Sequence, residues 1–241
     1  MDYYHSPNFN SSLNRFQHPD GDPSNKKPSE LFAMIREFSK RKYDQSEQNG
    51  FSVKLSEQHE LSTFSESVMW IGQSTILLNH KGLTVLTDPQ FSNRASPLFF
   101  GGPKRVTPIP FNIKDLPNID VVLISHNHYD HLDIETLKKL YRQQQGSEPL
   151  IIAGLGNGGL FSDEGLGNAK DLDWNQSVTH KSTRFTFVET RHRSGRGISD
   201  QMKTLWGGFV IESAKGPIYF AGDTGYGPHF TDTHKRFGDF Y

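Results

Sequence analysis

Nine residues near the middle of the chain, SHNHYDHLD at positions 125–133, contain three histidines and two aspartates. Because side chains alternate along an extended backbone, we expect His126 and His128 to project to the same side and to share one metal ion. Asp130 and His131 come after a turn and are expected to serve a second ion nearby. A histidine-rich surface loop is the alternative interpretation. The cluster directly follows a buried-strand pattern, DVVLIS, and this favours the metal site.

The lack of cysteine restricts the ligands that such a site can use. The 241 residues include 11 histidines and no cysteine, which excludes disulfides and thiolate metal sites. Imidazole and carboxylate are the ligands that zinc accepts in that case, and iron or manganese would also fit them. The charges nearly cancel, with 26 Lys and Arg against 27 Asp and Glu. No nucleic-acid partner is therefore expected.

Three further metal-competent residues stand at the ends of predicted strands. His192 follows RFTFVET, Asp223 ends PIYFAGD, and Asp88 ends LTVLTD. Taken singly, His192 is explained equally well as a loop histidine, and Asp223 as a turn former. Together with the central cluster, they predict that several strand ends converge on one site. Asp88 is expected to orient a histidine through a hydrogen bond rather than to bind the metal itself.

The segments that must position these residues are short apolar runs separated by Gly, Pro, Asn and Asp. Eight runs rich in Val, Ile, Leu and Phe are predicted to be strands: VMWIG, TILLN, LTVLTD, DVVLIS, PLIIAG, RFTFVET, LWGGFVIE and PIYFAGD. Asp133 is predicted to cap a helix over IETLKKLYRQQ, which has an apolar stripe on one side. Residues 89–118 are predicted to form a long irregular loop. Many strands with few helices predict a mixed α/β sandwich.

Residues 1–60 are rich in Ser, Asn, Pro, Gln and charged residues, and they are predicted to form a loosely ordered extension, wrapped on or trailing from a domain at 61–241. One helix is predicted within it, ELFAMIREFSKRKY, capped by Ser29. Its apolar face is expected to dock on the domain or, alternatively, to lie on a membrane surface. We find no signal peptide and no run approaching the ~20 apolar residues of a membrane span. The expectation is a cytoplasmic protein, with membrane association left open.

The motif HNHYDH matches the H-x-H-x-D-H signature and resembles the metallo-β-lactamase superfamily. The resemblance is closer to one branch, the N-acylphosphatidylethanolamine-hydrolysing phospholipases D and their bacterial relatives. It extends from about residue 65 to the end of the chain. The segments that carry it are, in order, VMWIGQST, LTDPQFSNRASP, GPKR, LISHNHYDHLD, LWGGFVI and FAGDTGY.

This resemblance implies a four-layer αββα sandwich with a dinuclear zinc site at the edge between two sheets. The ligands it implies are His126, His128 and His192 for one ion, Asp130 and His131 for the other, and Asp223 as the bridge. Two ions about 3.5–4 Å apart would activate a bridging hydroxide for attack on a phosphodiester. Asp130 would steer that hydroxide or take part in proton transfer.

The sequence departs from the family pattern at its C-terminal end. Family members carry one more metal-binding histidine well beyond the GDTGY segment, whereas this chain stops eighteen residues after Asp223. His229 and His234 lie in a predicted surface helix and are expected to be exposed structural residues. We therefore expect the C-terminal part of the domain to be missing here. The second zinc ion would then lack a ligand, so that one ion in this chain is the alternative to two.

Several other positions bear on catalysis and on substrate binding. Relatives usually have histidine at Gln73, and an amide hydrogen-bonds but does not titrate, which argues against a proton relay there. Arg191 is expected either to bind phosphate or to be solvated. Lys104 and Arg105 are expected to meet phosphate. The apolar residues of the long loop are predicted either to contact acyl chains or to belong to the core: Phe91, Leu98, Phe99 and Phe100.

The favoured interpretation is a zinc-dependent phosphodiesterase of the phospholipase D type that cleaves N-acylphosphatidylethanolamine-like lipids. A second interpretation is another hydrolase of the superfamily, such as a lactonase of the L-ascorbate-6-phosphate type or a nuclease. The charge balance argues against the nuclease. A third is a non-catalytic remnant that keeps the fold signature without a complete site. Zinc content per chain separates this third interpretation from the other two.

Overall fold

The computed structural model describes residues 5–21, 66–80, 82–98, 100–109, 112–197, 199–212 and 216–241, together with positions 29, 33 and 36. A small hairpin consists of β1 (Phe9–Asn10) and β2 (Arg15–Phe16). A six-stranded sheet consists of β3 (Glu66–Gly72), β4 (Thr75–His80), β5 (Leu83–Thr87), β6 (Val121–Ile124), β7 (Leu150–Gly154) and β8 (Ala169–Leu172). A four-stranded sheet consists of β9 (Ser177–His180), β10 (Thr183–Val188), β11 (Gly208–Ile211) and β12 (Ile218–Phe220). The helices are α1 (Ile134–Gln143), α2 (Gly158–Asp163) and α3 (His229–Phe237).

The six-stranded sheet is mixed and runs in the order β3-β4-β5-β6-β7-β8. Its first three strands pair antiparallel, whereas β5 to β8 pair parallel. The carboxyl ends of β5 and β6 therefore lie at the same edge, and this edge receives Asp88 and the histidine motif. The four-stranded sheet is antiparallel throughout, in the order β12-β11-β10-β9.

Alternation along the strands divides the apolar residues between two cores. Val85 and Val121 belong to a cluster that includes Phe185 and Phe209 of the other sheet, so this core lies between the two sheets. Their sequence neighbours Leu86 and Val122 belong to a second cluster with the buried face of α1 and with α2. The central strands have continuous apolar sequences because both faces of the sheet are covered at these positions.

Helix α1 begins where the sequence predicts. The Asp133 side chain accepts a hydrogen bond from the backbone N–H of Thr136, and Leu137 and Leu140 are buried. The same carboxylate also accepts from the backbone N–H of Ser92 at 2.9 Å. The cap therefore fastens the start of the long loop to the helix that follows the motif.

Helix α3 covers the outer face of the four-stranded sheet. Tyr219 of β12 contacts Phe230 of α3, with ring centroids 6.1 Å apart, while the flanking Ile218 and Phe220 pack against the inter-sheet core. The layers are therefore helix, sheet, sheet and helix, and the mixed α/β sandwich expected from the sequence is confirmed. All eight predicted strands are present. The sequence analysis missed β1, β2, β8, β9 and α2. Strands β8 and β9 lack an apolar pattern because AKDL and SVTH form edge strands that are polar and partly exposed.

The described part of the predicted N-terminal extension packs on the sandwich. Phe9 and Phe16 are buried in the inter-sheet core and contact each other edge to face, with centroids 5.1 Å apart. In the predicted helix that follows, positions 29, 33 and 36 are helical and exposed. The rest of that helix lies outside the described residues. Within the described residues, no helix is both long enough and apolar enough to cross a membrane.

Candidate metal centre

The motif loop, residues 126–132, directly follows β6 and turns back on itself. The backbone N–H groups of His131 and Leu132 both donate to the carbonyl of His128, at 3.1 and 2.8 Å. The turn separates the His126–His128 pair from Asp130 and His131, as the sequence predicts. On the neighbouring strand, Asp88 follows β5 with a φ of 35°, in the sparsely populated left-handed region.

Three imidazoles converge beside this loop. The Nδ1 atom of His128 lies 2.8 Å from Nε2 of His126 and 3.2 Å from Nε2 of His192. All three ring nitrogens lie within 4.8 Å of one another. His192 reaches this position from the end of β10, in the other sheet. The structure therefore brings together the three histidines that the sequence analysis assigned to one metal ion.

The other predicted ligands surround the buried ring of His131. Its Nε2 atom lies 3.4 Å from Oδ2 of Asp223 and 3.6 Å from Oδ2 of Asp130. The same Asp223 oxygen is 3.7 Å from Nε2 of His192. Asp223 thus stands between the two groups of histidines, and His126, His131 and Asp223 form a second set of donors within 4.8 Å.

Asp88 determines which nitrogens of two histidines face the cluster. Its Oδ2 atom accepts hydrogen bonds from Nδ1 of His131 at 2.7 Å and from Oγ of Ser125 at 2.6 Å. Since the Ser125 hydroxyl proton is directed to Asp88, Ser125 Oγ accepts from Nδ1 of His126 at 2.9 Å. Both rings therefore carry their proton on Nδ1 and present an unprotonated Nε2 to the site in their neutral form.

Burial and neighbouring charges set the protonation of the cluster. Burial, together with the neighbouring histidines, lowers the pKa of His126 well below its usual value, and the pKa of His192 falls to about 4 for the same two reasons. Burial also lowers the pKa of His131, but the Asp88 and Asp223 carboxylates outweigh it and raise that pKa to about 10. The carboxylates of Asp88 and Asp223, on opposite nitrogens of this ring, therefore favour positive charge at His131.

The loops that carry His192 and Asp223 are hydrogen-bonded to each other. The backbone N–H of Arg191 donates to Oγ1 of Thr224 at 2.9 Å, and the N–H of Gly225 donates to the Arg191 carbonyl at 2.8 Å. Gly222, at a φ of 59°, lets this segment approach the motif, because a Cβ there would lie 2.5 Å from Cβ of Ser125. Close packing of the two sheet ends brings Asp223 to His131.

An open cleft of about 500 Å³ lies beside the cluster and is lined by Gln73, Lys104, His128, Tyr129 and Asp130, among others. The Gln73 side-chain amide donates to Oδ2 of Asp130 at 3.0 Å. Lys104 is exposed at the cleft.

Arg105 also lines the cleft, but it is not free to meet phosphate as predicted. Its guanidinium donates to the backbone carbonyl and side-chain oxygen of Gln90 and to the carbonyl of Ser92 at 3.4 Å. This arginine therefore holds the start of the long loop in place. Further along that loop, Leu98 and Phe100 are exposed and Phe91 packs against the helix-side core. Phe99 lies outside the described residues.

Three other sequence expectations need correction or refinement. Arg191 is neither solvated nor directed to the cleft, because its guanidinium pairs with both carboxylate oxygens of Asp20 at 2.7 and 2.6 Å. His229 was expected to be exposed but is buried, with Nε2 2.9 Å from Oγ1 of Thr224. His234 is exposed as expected, and it pairs with Asp239 on the surface at 2.9 Å.

Sequence reasoning missed the residues that support the site from a distance. Arg196 donates from one nitrogen, Nη1, to the carbonyls of Asn127 at 3.0 Å and Leu132 at 2.8 Å, and its guanidinium lies 3.9 Å above the Tyr129 ring. It therefore spans the motif loop. His18, from the N-terminal segment, contacts the backbone of His192 at 2.9 Å. The sequence around a loop arginine or histidine does not indicate which distant backbone group it will hydrogen-bond, so neither contact could be predicted.

These residues fit a divalent metal. The Nε2 atom of His131 is buried, and none of the described residues hydrogen-bonds to it. A buried polar atom without a partner is costly, and metal coordination is one way to satisfy it. The donors are imidazole nitrogens and carboxylate oxygens only, the set expected for zinc without thiolates. Within the described residues, His126, His128, His192, His131 and Asp223 are therefore grouped closely enough to hold metal, and Asp130 lies beside them, 3.6 Å from His131.

Comparison with known proteins identifies relatives of this chain. An uncharacterized protein of Mycobacterium tuberculosis is 40% identical over 176 residues, which cover 72% of this chain and 46% of that protein. A Saccharomyces cerevisiae protein, the mitochondrial N-acyl-phosphatidylethanolamine-hydrolyzing phospholipase D, is 37% identical over 70% of this chain and 36% of its own length. The chain thus spans less than half the length of these relatives.

The fold likeness extends to solved structures. Igni18, a metallo hydrolase from the archaeon Ignicoccus hospitalis, superimposes with a TM-score of 0.52 at 16% identity, covering 70% of this chain and 66% of that one. At this identity the likeness concerns the fold alone. The model of the beta-lactamase superfamily domain matches residues 84–240, which include every candidate ligand. The chain belongs to the β-lactamase superfamily.

Proposed function

We propose that this protein is a metal-dependent hydrolase of the phospholipase D type that cleaves a phosphodiester in N-acylphosphatidylethanolamine-like lipids. The observation that carries the metal-dependent part is the convergence of the imidazoles of His126, His128, His131 and His192 with the carboxylates of Asp130 and Asp223. At the centre of this group, the buried Nε2 of His131 makes no hydrogen bond to a described residue. In this proposal the metal is zinc, in a site for two ions; imidazole and carboxylate are ligands that zinc accepts, and iron or manganese would fit the same donors. Divalent ions of this kind act as Lewis acids that polarise phosphoryl oxygens and activate water near neutral pH.

The residues of the chain itself have distinct tasks in this proposal. His126, His128 and His192 hold one ion, His131 and Asp130 hold the other, and Asp223 lies between them. Asp130 also borders the cleft, where Gln73 holds its carboxylate at 3.0 Å. This position supports the proposed role of Asp130 in orienting a water or accepting its proton.

The proposed substrate class rests on the cleft and on the yeast relative. Lys104 supplies positive charge at the cleft, where a phosphate would need it. Leu98 and Phe100 are about half and two thirds exposed, at 49% and 67%, and Val106 is 43% exposed. These side chains offer apolar surface to acyl chains or to a membrane surface, which supports peripheral membrane contact. The yeast protein of this activity is 37% identical to the chain.

The competing proposals are another hydrolase of the superfamily, such as a lactonase, and a chain that does not turn over substrate. In all three cases we propose that the functional domain begins near residue 61, with residues 1–60 as an N-terminal extension whose described segment, 5–21, completes the inter-sheet core through Phe9 and Phe16. Metal content and substrate preference distinguish the three proposals.

The test is zinc content together with hydrolysis of N-acylphosphatidylethanolamine and of a lactone by the same purified protein. We expect zinc to bind and the phospholipid to be cleaved. His128→Ala removes a nitrogen at the centre of the first triad, and it should lower activity by at least about 100-fold, as loss of a zinc ligand does. His234→Ala is the matched control, because that histidine is exposed on α3 and, among the described residues, pairs with Asp239 on the surface.

The outcomes separate the proposals. Cleavage of the lactone but not of the phospholipid would support the alternative hydrolase. A chain that binds no zinc and cleaves neither substrate would contradict the metal-dependent function. If His128→Ala and His234→Ala lose hydrolytic activity equally, the effect is not specific to the candidate metal centre.

A further inference from the structure

The N-terminal segment, residues 5–21, crosses the sandwich and reaches the loop that carries His192. At its far end, Ser6 and Asn8 both hydrogen-bond to the Asp173 carboxylate, at 2.6 and 2.8 Å. In its middle, Phe9 and Phe16 are buried in the inter-sheet core. The segment is therefore anchored independently of the site before it reaches the loop at 189–194.

His18 is the residue of this segment that touches a candidate ligand. Its Nε2 atom lies 2.9 Å from the backbone carbonyl oxygen of His192. A carbonyl only accepts, so Nε2 carries a proton and donates it. The ring is 3% exposed and is enclosed by Trp174, stacked at 6.1 Å between centroids, and by Trp206, edge-on at 4.9 Å. This packing fixes the direction in which His18 points.

Asp20 holds the residue that precedes His192. Its two carboxylate oxygens receive the two terminal guanidinium nitrogens of Arg191, at 2.7 and 2.6 Å. Bidentate pairs of this kind fix orientation as well as distance. Two consecutive residues of the loop, Arg191 and His192, are therefore held by two residues of the N-terminal segment that lie two positions apart.

We propose that His18, assisted by Asp20, positions His192 for metal binding. This inference rests on the proposed metal site. The His192 side chain is 25% exposed and belongs to a loop, so its backbone needs an external restraint to keep the imidazole aimed at the cluster. The His18 hydrogen bond fixes the peptide plane that follows the His192 Cα atom. Restraint before binding reduces the conformational entropy that is lost when the metal binds. His18 is thus a positioning residue, although it lies 174 positions from His192 in the sequence.

The test is the zinc affinity of the full chain, measured by competition with a chromogenic chelator. His18→Phe keeps an aromatic ring between Trp174 and Trp206 and removes the N–H donor. We expect the affinity to fall about 10-fold, since loss of a group that orients a ligand costs 10- to 100-fold. His18→Gln keeps an N–H donor near the same position and should recover most of the affinity.

Asn8→Ala is the matched control. It removes a hydrogen bond from the far end of the same segment and leaves the contact with His192 in place. Its zinc affinity should equal that of the unaltered chain. Urea unfolding of each metal-free variant reports whether the fold is retained. Should His18→Phe not fold, Asp20→Ala takes its place, because Asp20 is exposed and its loss must also lower the affinity.

Each outcome bears on a distinct proposal. Unchanged affinity in His18→Phe, or a fall as large in Asn8→Ala, would overturn the positioning role while leaving the metal site intact. Failure of His18→Gln to recover affinity would also overturn it, because the hydrogen bond would then not be the cause. An unaltered chain that binds no zinc would overturn the proposed function itself, and the positioning role with it.

Discussion

At the scale of single residues, the candidate site depends on how its imidazoles are oriented. Asp88 is fully buried and lies in the left-handed region at a φ of 35°, a conformation that costs about 1 kcal/mol or more for a non-glycine residue. Two hydrogen bonds hold it there. Its backbone N–H donates to the Leu123 carbonyl, and its own carbonyl accepts from Oγ1 of Thr75, both at 2.8 Å. The strained position directs one carboxylate to both His131 and Ser125. The strained backbone at Asp88 is thus part of the geometry of the site.

The first prediction concerns Asp88→Asn. Oδ1 of Asp88 accepts from the backbone N–H of Ser125 at 2.7 Å, so the asparagine amide oxygen is expected to take that position. Its NH₂ group would then face Nδ1 of His131 and could not accept from it. The ring is then expected to take the other tautomer and to carry its proton on Nε2, where a metal would bind. We expect zinc affinity to fall by about 10- to 100-fold, measured by chelator competition.

Asp120→Asn is the control for this substitution. Asp120 precedes β6 at the opposite end of that strand, where it accepts from Thr84 N–H at 2.8 Å and pairs with Lys181 at 2.6 Å. Zinc affinity equal in the two variants would contradict the orienting role of Asp88, whatever the change in stability.

At the scale of elements, the loop formed by residues 195–200 fastens the motif loop in place. The backbone N–H of Gly195 donates to Oδ1 of Asn127 at 2.6 Å, and Arg196 donates to two carbonyls of the motif loop. Asp200 in turn fixes the arginine loop by accepting from the backbone N–H groups of Arg196 and Gly197, at 2.8 and 2.7 Å. The motif loop is therefore restrained by a segment about 65 residues further along the chain.

The second prediction concerns Arg196→Met. Methionine retains much of the side-chain volume but loses both hydrogen bonds to the motif loop and the contact with the Tyr129 ring. Hydrogen bonds from a charged donor contribute roughly 2 kcal/mol, so the free energy of unfolding of the metal-free chain should fall by about that amount in urea denaturation. Zinc affinity should fall as well, because the carbonyls that flank the ligands are released.

Arg184→Met provides the comparison. Arg184 is exposed on β10 and lies 3.7 Å from Glu212, and surface pairs of this kind contribute little. A loss of stability in Arg184→Met as large as that in Arg196→Met would argue that arginine substitution is generally harmful, and would remove the support for a specific restraint.

At the scale of the whole molecule, ionisable groups outside the candidate metal centre also couple to folding. Asp171 of β8 accepts hydrogen bonds from the backbone N–H groups of Gly156 and Gly158, at 3.0 and 2.8 Å, and so closes the turn that leads into α2. Its second oxygen is buried, and no described residue hydrogen-bonds to it. Burial raises the pKa of Asp171 to about 6, although these N–H groups lower it.

The third prediction is the pH dependence that follows from this raised pKa. The unfolded chain ionises Asp171 near its usual pKa of about 4, so the folded state binds the proton more tightly than the unfolded state does. The contribution of Asp171 to the free energy of unfolding is fully present below the pKa that it has in the unfolded chain. This contribution is lost as the pH rises through about 6, the pKa in the folded chain. A shift of this size corresponds to about 1–2 kcal/mol lost between pH 5 and pH 8.

The measurement is urea unfolding of the metal-free protein at pH 5 and at pH 8, with Asp171→Asn as the comparison. The histidines of the cluster titrate in both proteins, so the difference between them isolates Asp171. Between pH 5 and pH 8, the free energy of unfolding should fall by about 1–2 kcal/mol more in the unaltered chain than in Asp171→Asn. Parallel profiles for the two proteins would contradict the raised pKa.

The sequence by itself determined the elements and the ligand-bearing positions. Alternating and continuous apolar runs predicted the eight strands, Asp133 predicted the start of α1, and the motif after DVVLIS predicted where the histidines stand. These features depend on residues within a few positions of one another, since strand periodicity, helix capping and strand-end location are local properties. The edge strands β8 and β9 were missed because their exposed faces weaken the apolar pattern.

Only the tertiary structure decided which distant residues support the site. The supporting contacts are hydrogen bonds of Arg105 with Gln90, of Arg191 with Asp20, of Arg196 with the motif loop, and of His18 with the backbone of His192. Arginine and histidine hydrogen-bond to whatever carbonyl or carboxylate the chain path brings near them, so their partners have no signature in the neighbouring sequence. The partners of Arg191 and His192 lie more than 170 positions away. Packing of the two sheets against each other, which depends on the whole chain, brings them together.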